Sequence, residues 1–319
     1  EARGRWDPGP GTAAQAPGAA PRDGMGIGGG ISGMYMLHRL RELGLKTRVF
    51  EAGTDVGGTW YWNRYPGARF DSESWTYGYS FSEELLQEWD WKEHFSPQPD
   101  TLEYLNYVAD KFDFRRDMQF NARVVAAEYD DAENTWTIRL ENGETHTAPL
   151  LITGLGPLSA YTLPNIPGRD DFRGQAFHTS RWPKEPIDFA DKRVGVIGTG
   201  ATAIQAITEI AKTVGHLTVF QRTPNWAAPL HNAKITPEEQ ASIKARYPEI
   251  YARCRETATC FIHDPDPRKA LEVSAEERDD LWEKRHYEPG YGIWVGNLPA
   301  LVPAASGNTM MMESAAPTS

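Results

Sequence analysis

Residues 28–33 read Gly28-Gly29-Gly30-Ile31-Ser32-Gly33, a glycine-rich turn of the form G-x-G-x-x-G. Apolar residues follow at helical spacing over Ile31–Leu43, and Gly44 is a suitable residue to end that helix. Thr47–Phe50 then predicts a short strand that ends at Glu51. A flexible loop alone would explain the glycines, but this order favours a Rossmann unit. There a pyrophosphate lies at the helix N-terminus and a carboxylate binds a ribose.

A second glycine-rich turn reads Gly198-Thr199-Gly200-Ala201-Thr202-Ala203. Lys192–Ile197 predicts the strand before it, a helix follows it, and Leu217–Phe220 predicts the next strand, which completes a second βαβ unit. That strand is followed by Gln221-Arg222-Thr223, with no acidic residue. An arginine suits the 2′-phosphate of NADPH, whereas a carboxylate suits NADH, so Arg222 favours NADPH. The alternative is that Arg222 is only a surface cation.

The first turn lacks a recognisable strand before it. Ala20–Met25 reads Ala-Pro-Arg-Asp-Gly-Met, and its proline and charges argue against a central strand. Residues 1–24 are rich in Gly, Ala, Pro and Arg without hydrophobic periodicity, which predicts disorder, and residues 301–319 have a similar small-residue character. We therefore expect atypical segments at both ends of the chain and an absent first strand.

Composition excludes several classes of function. The 319 residues suffice for one large domain or two medium ones. A net charge of -11 argues against a nucleic-acid partner, and no apolar run reaches the ~18 residues of a membrane span. Two cysteines, Cys254 and Cys260, indicate a reducing compartment and hence the cytoplasm. No metal-ligand spacing is present, so we predict no metal site.

The segment between the two turns predicts a helix and a small sheet. Gln98–Phe112 has apolar residues on one helical face, with a proline near its start. Arg123–Tyr129, Thr135–Leu140 and Thr145–Thr153 predict successive strands, and Asn142-Gly143 is typical of a hairpin turn. These features predict a small antiparallel insertion.

Two further motifs combine glycines, aromatic residues and one carboxylate. They read Gly57-Gly58-Thr59-Trp60 and Tyr65-Pro66-Gly67-Ala68-Arg69-Phe70-Asp71. Such a loop offers backbone groups, aromatic walls and a single acid, Asp71. Core packing would also explain the tryptophans, and Asp71 could merely cap a turn.

Residues 172–183 carry the most specific motif of the chain. They read Phe172-Arg173-Gly174-Gln175-Ala176-Phe177-His178-Thr179-Ser180-Arg181-Trp182-Pro183, of the form F-x-G-x-x-x-H-T-x-x-W-P. With this motif, the chain from Gly26 to about Gly296 resembles the flavin-dependent Baeyer–Villiger monooxygenases, truncated at both ends. The resemblance implies an α/β fold with two interleaved Rossmann-like dinucleotide-binding domains, for FAD and NADPH, and the small antiparallel insertion.

The resemblance also implies domain boundaries. We predict an FAD-binding domain over 25–171, a linker over 172–191 and an incomplete NADPH-binding domain over 192–300, flanked by the atypical segments 1–24 and 301–319. Family members continue beyond this length, and their later part carries an arginine at the reaction centre that has no matching candidate here.

The implied activity is conversion of a ketone to an ester or lactone with molecular oxygen. We also expect the protein to be a monomer. One alternative is an N- or S-oxygenating flavin monooxygenase, whose related motif usually has serine after the histidine and lacks Trp-Pro. Thr179, Trp182 and Pro183 favour the ketone reaction. A second alternative is a non-catalytic fragment that retains only nucleotide binding.

The resemblance finally implies roles for individual residues. The residue matching Asp71 orients an arginine and the nicotinamide, and the one matching His178 couples domain movement to catalysis as a hydrogen-bonded hinge. The predicted catalytic residues are Asp71 and His178. The predicted cofactor-binding residues are Gly28, Gly30, Ser32, Gly33, Glu51, Gly58, Thr59, Trp60, Tyr61, Trp62, Asp71, Tyr77, Val124, Gly198, Thr199, Gly200, Ala201, Thr202, Ala203, Gln205, Arg222 and Thr223.

Overall fold

The computed structural model describes residues 22–296 except Trp226, together with Leu298. The predictions for residues 1–21 and 301–319 lie outside the described residues. The strands β1 to β9 span Gly24–Ile27, Thr47–Phe50, Met118–Gln119, Val124–Asp130, Thr135–Leu140, Thr145–Ala148, Leu150–Thr153, Arg193–Ile197 and His216–Phe220. The helices α1 to α9 span Ile31–Glu42, Thr59–Trp62, Ser74–Tyr77, Glu83–Glu88, Gln98–Lys111, Ala201–Ile210, Pro237–Glu256, Ala275–Tyr287 and Gly292–Val295. Within this part of the chain, no helix combines the length and the apolar character needed to cross a membrane.

The described chain forms two compact units that are interleaved in sequence. The first unit takes the residues up to Trp62 and Leu102–Gly174, and the second takes Asn63–Thr101 and the residues from Gln175 onward. The α/β fold class is therefore confirmed. The contacts differ from the predicted continuous block over 25–171, because Asn63–Thr101 packs with the second unit.

Two sheets build the first unit. A parallel sheet has the strand order β3-β2-β1-β7, and an antiparallel sheet has the order β4-β5-β6. The predicted strand over Thr145–Thr153 is in fact two strands, because Pro149 has no N–H to continue the ladder. Its second half, β7, lies beside β1 in the parallel sheet. One core cluster of this unit consists of Met25, Phe50, Ala122, Ile138, Leu140 and Ala148.

The prediction that the first strand is absent is wrong. Gly24–Ile27 forms β1, which pairs in parallel with β2 on one side and with β7 on the other. The proline and charges that argued against a strand lie before Gly24. The four residues that follow are enough to pair with the strands on both sides. Met25 is fully buried and supplies the apolar contact. The atypical N-terminal segment was predicted to extend to residue 24, but Gly24 is the first residue of β1 and belongs to the sheet.

Helix α1 follows the first turn and packs one face against the core. Met34, Leu37 and Leu40 are buried at the spacing that the sequence predicted. The helix ends at Glu42, and Gly44 adopts a φ of +75°, which glycine allows without strain. Turn, helix and β2 thus have the predicted order and form one turn–helix–strand unit.

The second unit contains the parallel pair β8 and β9, with α6 between them in sequence. Helix α7 begins after Thr236, whose side chain accepts a hydrogen bond from the Glu239 N–H, and α8 begins with a capping box at Ser274. One core cluster joins α4 to α7 and consists of Leu86, Ile243, Tyr247, Ile250 and Cys254. Another joins α6 to the segment before α3 and consists of Tyr65, Ala68, Ala206 and Ile210.

Candidate functional site

The two glycine-rich turns have the same backbone geometry. The Gly28 N–H donates to the Phe50 carbonyl at 2.9 Å, and the Gly198 N–H donates to the Phe220 carbonyl at 2.9 Å. Their φ angles are +102° and +105°, a region that favours glycine. Each turn leads into a helix whose N-cap is a glycine, which has no side chain to cap the helix. Both helix N-termini therefore keep backbone N–H groups available for an anion.

The first turn is closely packed by other backbone segments. A Cβ at Gly28 would overlap the Gly154 carbonyl oxygen, and a Cβ at Gly33 would overlap the Gly28 carbonyl oxygen. A Cβ at Gly30 would lie 3.2 Å from the Cα of Gly58. Gly154 was not identified from the sequence, although a glycine directly after the apolar strand β7 was an available signal. These glycines let three backbone segments meet: the turn at residues 28–33, Gly58 and Gly154.

Glu51 directly follows β2, and its side chain contacts the first turn. Its carboxylate accepts hydrogen bonds from the N–H groups of Gly29 at 2.6 Å and Gly53 at 2.7 Å. Only 5% of the residue surface is exposed. Each carboxylate oxygen has a second acceptor site, so Glu51 can still accept hydrogen bonds from ribose hydroxyls.

The residues Thr59 to Trp62 form α2, next to Gly58. Trp60 and Tyr61 are each 6% exposed, and the Tyr61 hydroxyl lies 2.8 Å from Thr54 Oγ1. The side chains of Trp60 and Tyr61 thus pack in the core of the first unit. The predicted contacts of Thr59, Trp60, Tyr61 and Trp62 with a cofactor remain a prediction.

Three further predicted residues are spread over the two units. Ser32 is exposed on α1, and Val124 begins β4, both in the first unit. Tyr77 ends α3 in the second unit, where its ring stacks on Phe70 with centroids 4.2 Å apart. Ser32 and Val124 thus lie in a different unit from Tyr77.

The second turn is open where the first is packed. No heavy atom within the described residues lies within 4 Å of a Cβ built at Gly198 or Gly200. The Gln221 side chain, which follows β9, donates to Thr199 Oγ1 at 3.1 Å. Arg222 and Thr223 are exposed, as is Ala201, and Thr202 and Ala203 are half-buried. An open glycine turn at a helix N-terminus, followed by a cation, fits a phosphorylated dinucleotide.

The segment that carries Asp71 is held on helix α6 by Gln205. The Tyr65 hydroxyl donates to Gln205 Oε1 at 2.8 Å, and Gln205 Nε2 donates to the Arg69 carbonyl at 3.0 Å and to Asp71 Oδ1 at 3.5 Å. Gly67 has a φ of +79°, and a Cβ there would lie 2.5 Å from the Gln205 carbonyl oxygen. The Gln205 side chain, predicted to bind a cofactor, therefore contacts the Asp71 segment.

Burial and hydrogen bonding act in opposite directions on the groups of this segment. Burial raises the pKa of Asp71, whereas the hydrogen bond from Gln205 and the charge of Arg69 partly lower it. Burial also raises the pKa of Tyr65, against a hydrogen bond with Thr202 in the second turn. Sequence reasoning gave Tyr65 and Arg69 no role, although both lie in the Tyr-Pro-Gly motif. They join Asp71 to the helix that begins at the second turn.

His178 occupies the N-cap of a short 3₁₀ helix over Thr179–Arg181. Its Nδ1 accepts from the Ser180 N–H at 3.2 Å and lies 2.8 Å from Ser180 Oγ. Burial, and then the charge of Arg181, lower the pKa of the imidazole. Nearby, the rings of Phe177 and Trp182 have centroids 5.6 Å apart. His178 thus stabilises the local fold of the motif at residues 172–183, as a hydrogen-bonded hinge residue would.

Comparison with known proteins agrees with this geometry. The profile of the FMO-like family, described as flavin-binding monooxygenase-like, matches residues 25–238. The chain belongs to this family, and the resemblance to Baeyer–Villiger monooxygenases is confirmed by its relatives.

A 2-oxo-Δ3-4,5,5-trimethylcyclopentenylacetyl-CoA monooxygenase of Pseudomonas putida is 44% identical over 297 residues, which is 91% of this chain and 54% of that protein. The acetone monooxygenase (methyl acetate-forming) of Gordonia sp. strain TY-5 is 49% identical over 238 residues, 75% of this chain and 45% of that protein. The crystal structure of OTEMO in complex with FAD and NADP superposes with a TM-score of 0.87 at 44% identity, covering 93% of this chain and 57% of that one. The chain thus spans about half the length of the relatives it matches.

Proposed function

We propose that this chain supplies the two dinucleotide-binding units of an FAD- and NADPH-dependent Baeyer–Villiger monooxygenase, which converts a ketone and O2 to an ester or lactone. The observation that carries the proposal is the attachment of the Asp71 segment to α6 through Gln205. This attachment brings the carboxylate implied at the reaction centre into the same unit as the open second turn. The relatives' names and the cofactors bound in the superposed structure support the same reaction.

The first unit would hold FAD and the second NADPH. Residues 28–33 would bind the flavin pyrophosphate at the N-terminus of α1, and Glu51 would bind the ribose. Residues 198–203 would bind the NADPH pyrophosphate at the N-terminus of α6, with Arg222 on the 2′-phosphate. When bound, NADPH supplies a hydride and FAD supplies the ring that reacts with O2.

The chain's own residues would position and shield these groups. Gln205, whose side chain accepts a hydrogen bond from Tyr65, would tie the Asp71 segment to α6 through the Arg69 carbonyl and a long contact to the Asp71 carboxylate. His178 would hold the shape of the segment at residues 172–183 without moving a proton. Preorganisation of this kind matters because a charge fixed in a dry site acts more strongly than one in water.

Substitution of Arg222 tests the assignment of NADPH. Arg222→Ala should weaken NADPH binding about 10- to 100-fold, the value of a charge-assisted hydrogen bond, and should leave NADH binding within about twofold. Titration calorimetry with both nucleotides measures this difference. Equal loss of affinity for NADPH and NADH would contradict the 2′-phosphate contact.

Product analysis tests the reaction. The chain is incubated with FAD, NADPH, O2 and cyclohexanone, with a reaction lacking NADPH as control, and a lactone is expected by gas chromatography with mass spectrometry. An N-oxide from a tertiary amine without any lactone would favour the N-oxygenating alternative. Bound flavin and NADPH without any oxygenated product would favour the fragment that only binds nucleotides.

We also propose that the chain is a cytoplasmic monomer. The support is the presence of two free cysteines, Cys254 buried and Cys260 exposed, which suit a reducing compartment. Light scattering after size exclusion would contradict the monomer if the mass were a multiple of 35.7 kDa.

A further inference from the structure

Glu73 and His263 form a buried pair next to the Asp71 segment. Glu73 follows Asp71 by two residues, and its Oε1 lies 2.6 Å from the Nε2 of His263. The side chain of Glu73 is 6% exposed and that of His263 is 17% exposed. Both belong to the second unit, and neither residue has a role in the function proposed above.

His263 is the one side chain in the described residues that anchors the Glu73 carboxylate. The second oxygen, Oε2, is buried without a hydrogen-bond partner in this part of the chain. A buried carboxylate oxygen left without a partner costs free energy. Loss of His263 would therefore leave the whole carboxylate unpaired, and the segment would move to expose it to water.

A glycine turn closes over this pair. Gly290 has a φ of +85°, and a Cβ there would lie 2.9 Å from Glu73 Oε1 and 2.7 Å from the Phe95 ring. A Cβ at Gly292 would lie 3.3 Å from Nδ1 of His263. The absence of side chains at these two positions lets the turn before α9 pack against Glu73 and the first residue of α9 pack against His263.

The pair fixes the backbone on the C-terminal side of Asp71. Ser74 continues the same anchor, because its N–H donates to the His94 carbonyl at 2.7 Å and its hydroxyl to the Glu93 carbonyl at 2.7 Å. Among the described residues, the side-chain hydrogen bond of the Asp71 carboxylate is the long, 3.5 Å contact from Gln205. The direction of its carboxylate therefore depends on the backbone that Glu73 holds.

We propose that Glu73 and His263 are positioning residues that hold Asp71 in the orientation required by the nicotinamide half of NADPH. This inference rests on the proposed function and on the role that the resemblance implies for Asp71, which is to orient the nicotinamide. Glu73 and His263 are expected to make no contact with the adenosine half of NADPH. NADPH and 2′,5′-ADP, which lacks the nicotinamide, should therefore respond differently to loss of the pair.

The test compares the binding of NADPH and 2′,5′-ADP to the full chain and its variants by titration calorimetry. His263→Ala should weaken NADPH about tenfold, a usual size for coupling between neighbouring sites, and 2′,5′-ADP by less than about twofold. His263→Gln, which keeps an N–H donor, should restore most of the NADPH affinity. Glu73→Gln should behave like His263→Ala. Glu272→Gln, in the exposed pair of Lys269 and Glu272, is the matched control and should change neither ligand.

Hydrogen exchange at residues 70–78 provides a second measurement, and we expect faster exchange in His263→Ala. Equal weakening of both ligands would assign the pair a merely structural role and overturn the inference, as would unchanged binding of NADPH. If the unsubstituted chain binds neither ligand, the proposed function fails. In that case hydrogen exchange alone tests the pair. Unchanged exchange at residues 70–78 in His263→Ala would overturn the inference, and faster exchange would support the anchoring of this segment by Glu73 and His263.

Discussion

The turns at residues 28–33 and 198–203 differ in their surroundings and not in their backbone. Both make the same hydrogen bond to the end of the next strand and both begin a helix at glycine. At the first turn, added Cβ atoms would meet Gly28, Gly58 or Gly154, whereas Gly198 and Gly200 have open space. The comparison teaches that one sequence motif forms the turn, while packing decides whether a glycine serves the fold or the ligand.

The sheets behind the two turns differ in the same way. Strand β1 is paired on both sides and carries the buried Met25. Strands β8 and β9 pair only with each other in the described residues, and Ile197 and Phe220 are 64% and 56% exposed. The first turn is therefore stabilised mainly by burial, and the second mainly by local hydrogen bonds.

The largest expected effect is at the third position of the first turn. Gly33→Ala should lower the free energy of unfolding of the first unit by about 3 kcal/mol, because the new methyl group overlaps the Gly28 carbonyl oxygen. Urea denaturation followed by circular dichroism measures it. Ala203→Gly at the matching position of the second turn is the control and should cost at most about 1 kcal/mol. Equal costs at the two positions would remove the contrast between the turns.

The residues that follow the two strands provide the next test. Glu51→Gln should cost about 2 kcal/mol of unfolding free energy, because an amide can accept only one of the two bonds from Gly29 and Gly53. Gln221→Ala, which removes an exposed bond to Thr199, should cost less than about 0.5 kcal/mol. Chemical denaturation measures the unfolding free energy of both variants. A larger loss for Gln221→Ala than for Glu51→Gln would contradict the expected order.

Gly200→Ala tests whether Gly200 is required for ligand binding and not for folding. It should leave the unfolding free energy within about 0.5 kcal/mol, because the methyl group points into open space. NADPH binding should weaken about tenfold, or ~1.4 kcal/mol, because the same methyl group lies where the pyrophosphate approaches. Calorimetric titration measures the affinity. A stable variant with unchanged NADPH affinity would show that the second turn is not the binding site.

The smallest effect concerns the charge of Asp71. Because burial raises its pKa in the folded chain above the unfolded value of 3.8, the native state binds more protons, and stability falls as pH rises from that value through the folded pKa. Asp71→Asn removes this cost and should be more stable than the unsubstituted chain at pH 7 by less than about 1 kcal/mol. The two should be equally stable below both pKa values. Urea midpoints across the pH range measure the difference, and a lower stability of Asp71→Asn at pH 7 would reverse the expected sign.

Local patterns predicted the regular elements well, and long-range pairing explains the failures. The strands over Thr47–Phe50 and Thr135–Leu140 have the predicted bounds, because both show clear β patterns. Strand β1 was missed because Gly24-Met25-Gly26-Ile27 has little strand propensity and is held by neighbours 23 and 126 residues away, at Thr47 and Leu150.

The site shows the same limit of local information. The glycine turns and Asp71 follow from motifs, but the contact of Gln205 with Tyr65 joins residues 140 positions apart. The packing of Gly28 against Gly154 likewise depends on the sheet that brings their strands together. No spacing in the sequence encodes these contacts.

The visible absorption spectrum of the purified chain tests the central claim, that each turn binds its own dinucleotide. We expect flavin bands near one equivalent per chain, either on purification or after addition of FAD, and bleaching of these bands by NADPH. A chain that stays colourless with added FAD while it still binds NADPH would contradict the assignment of the first turn.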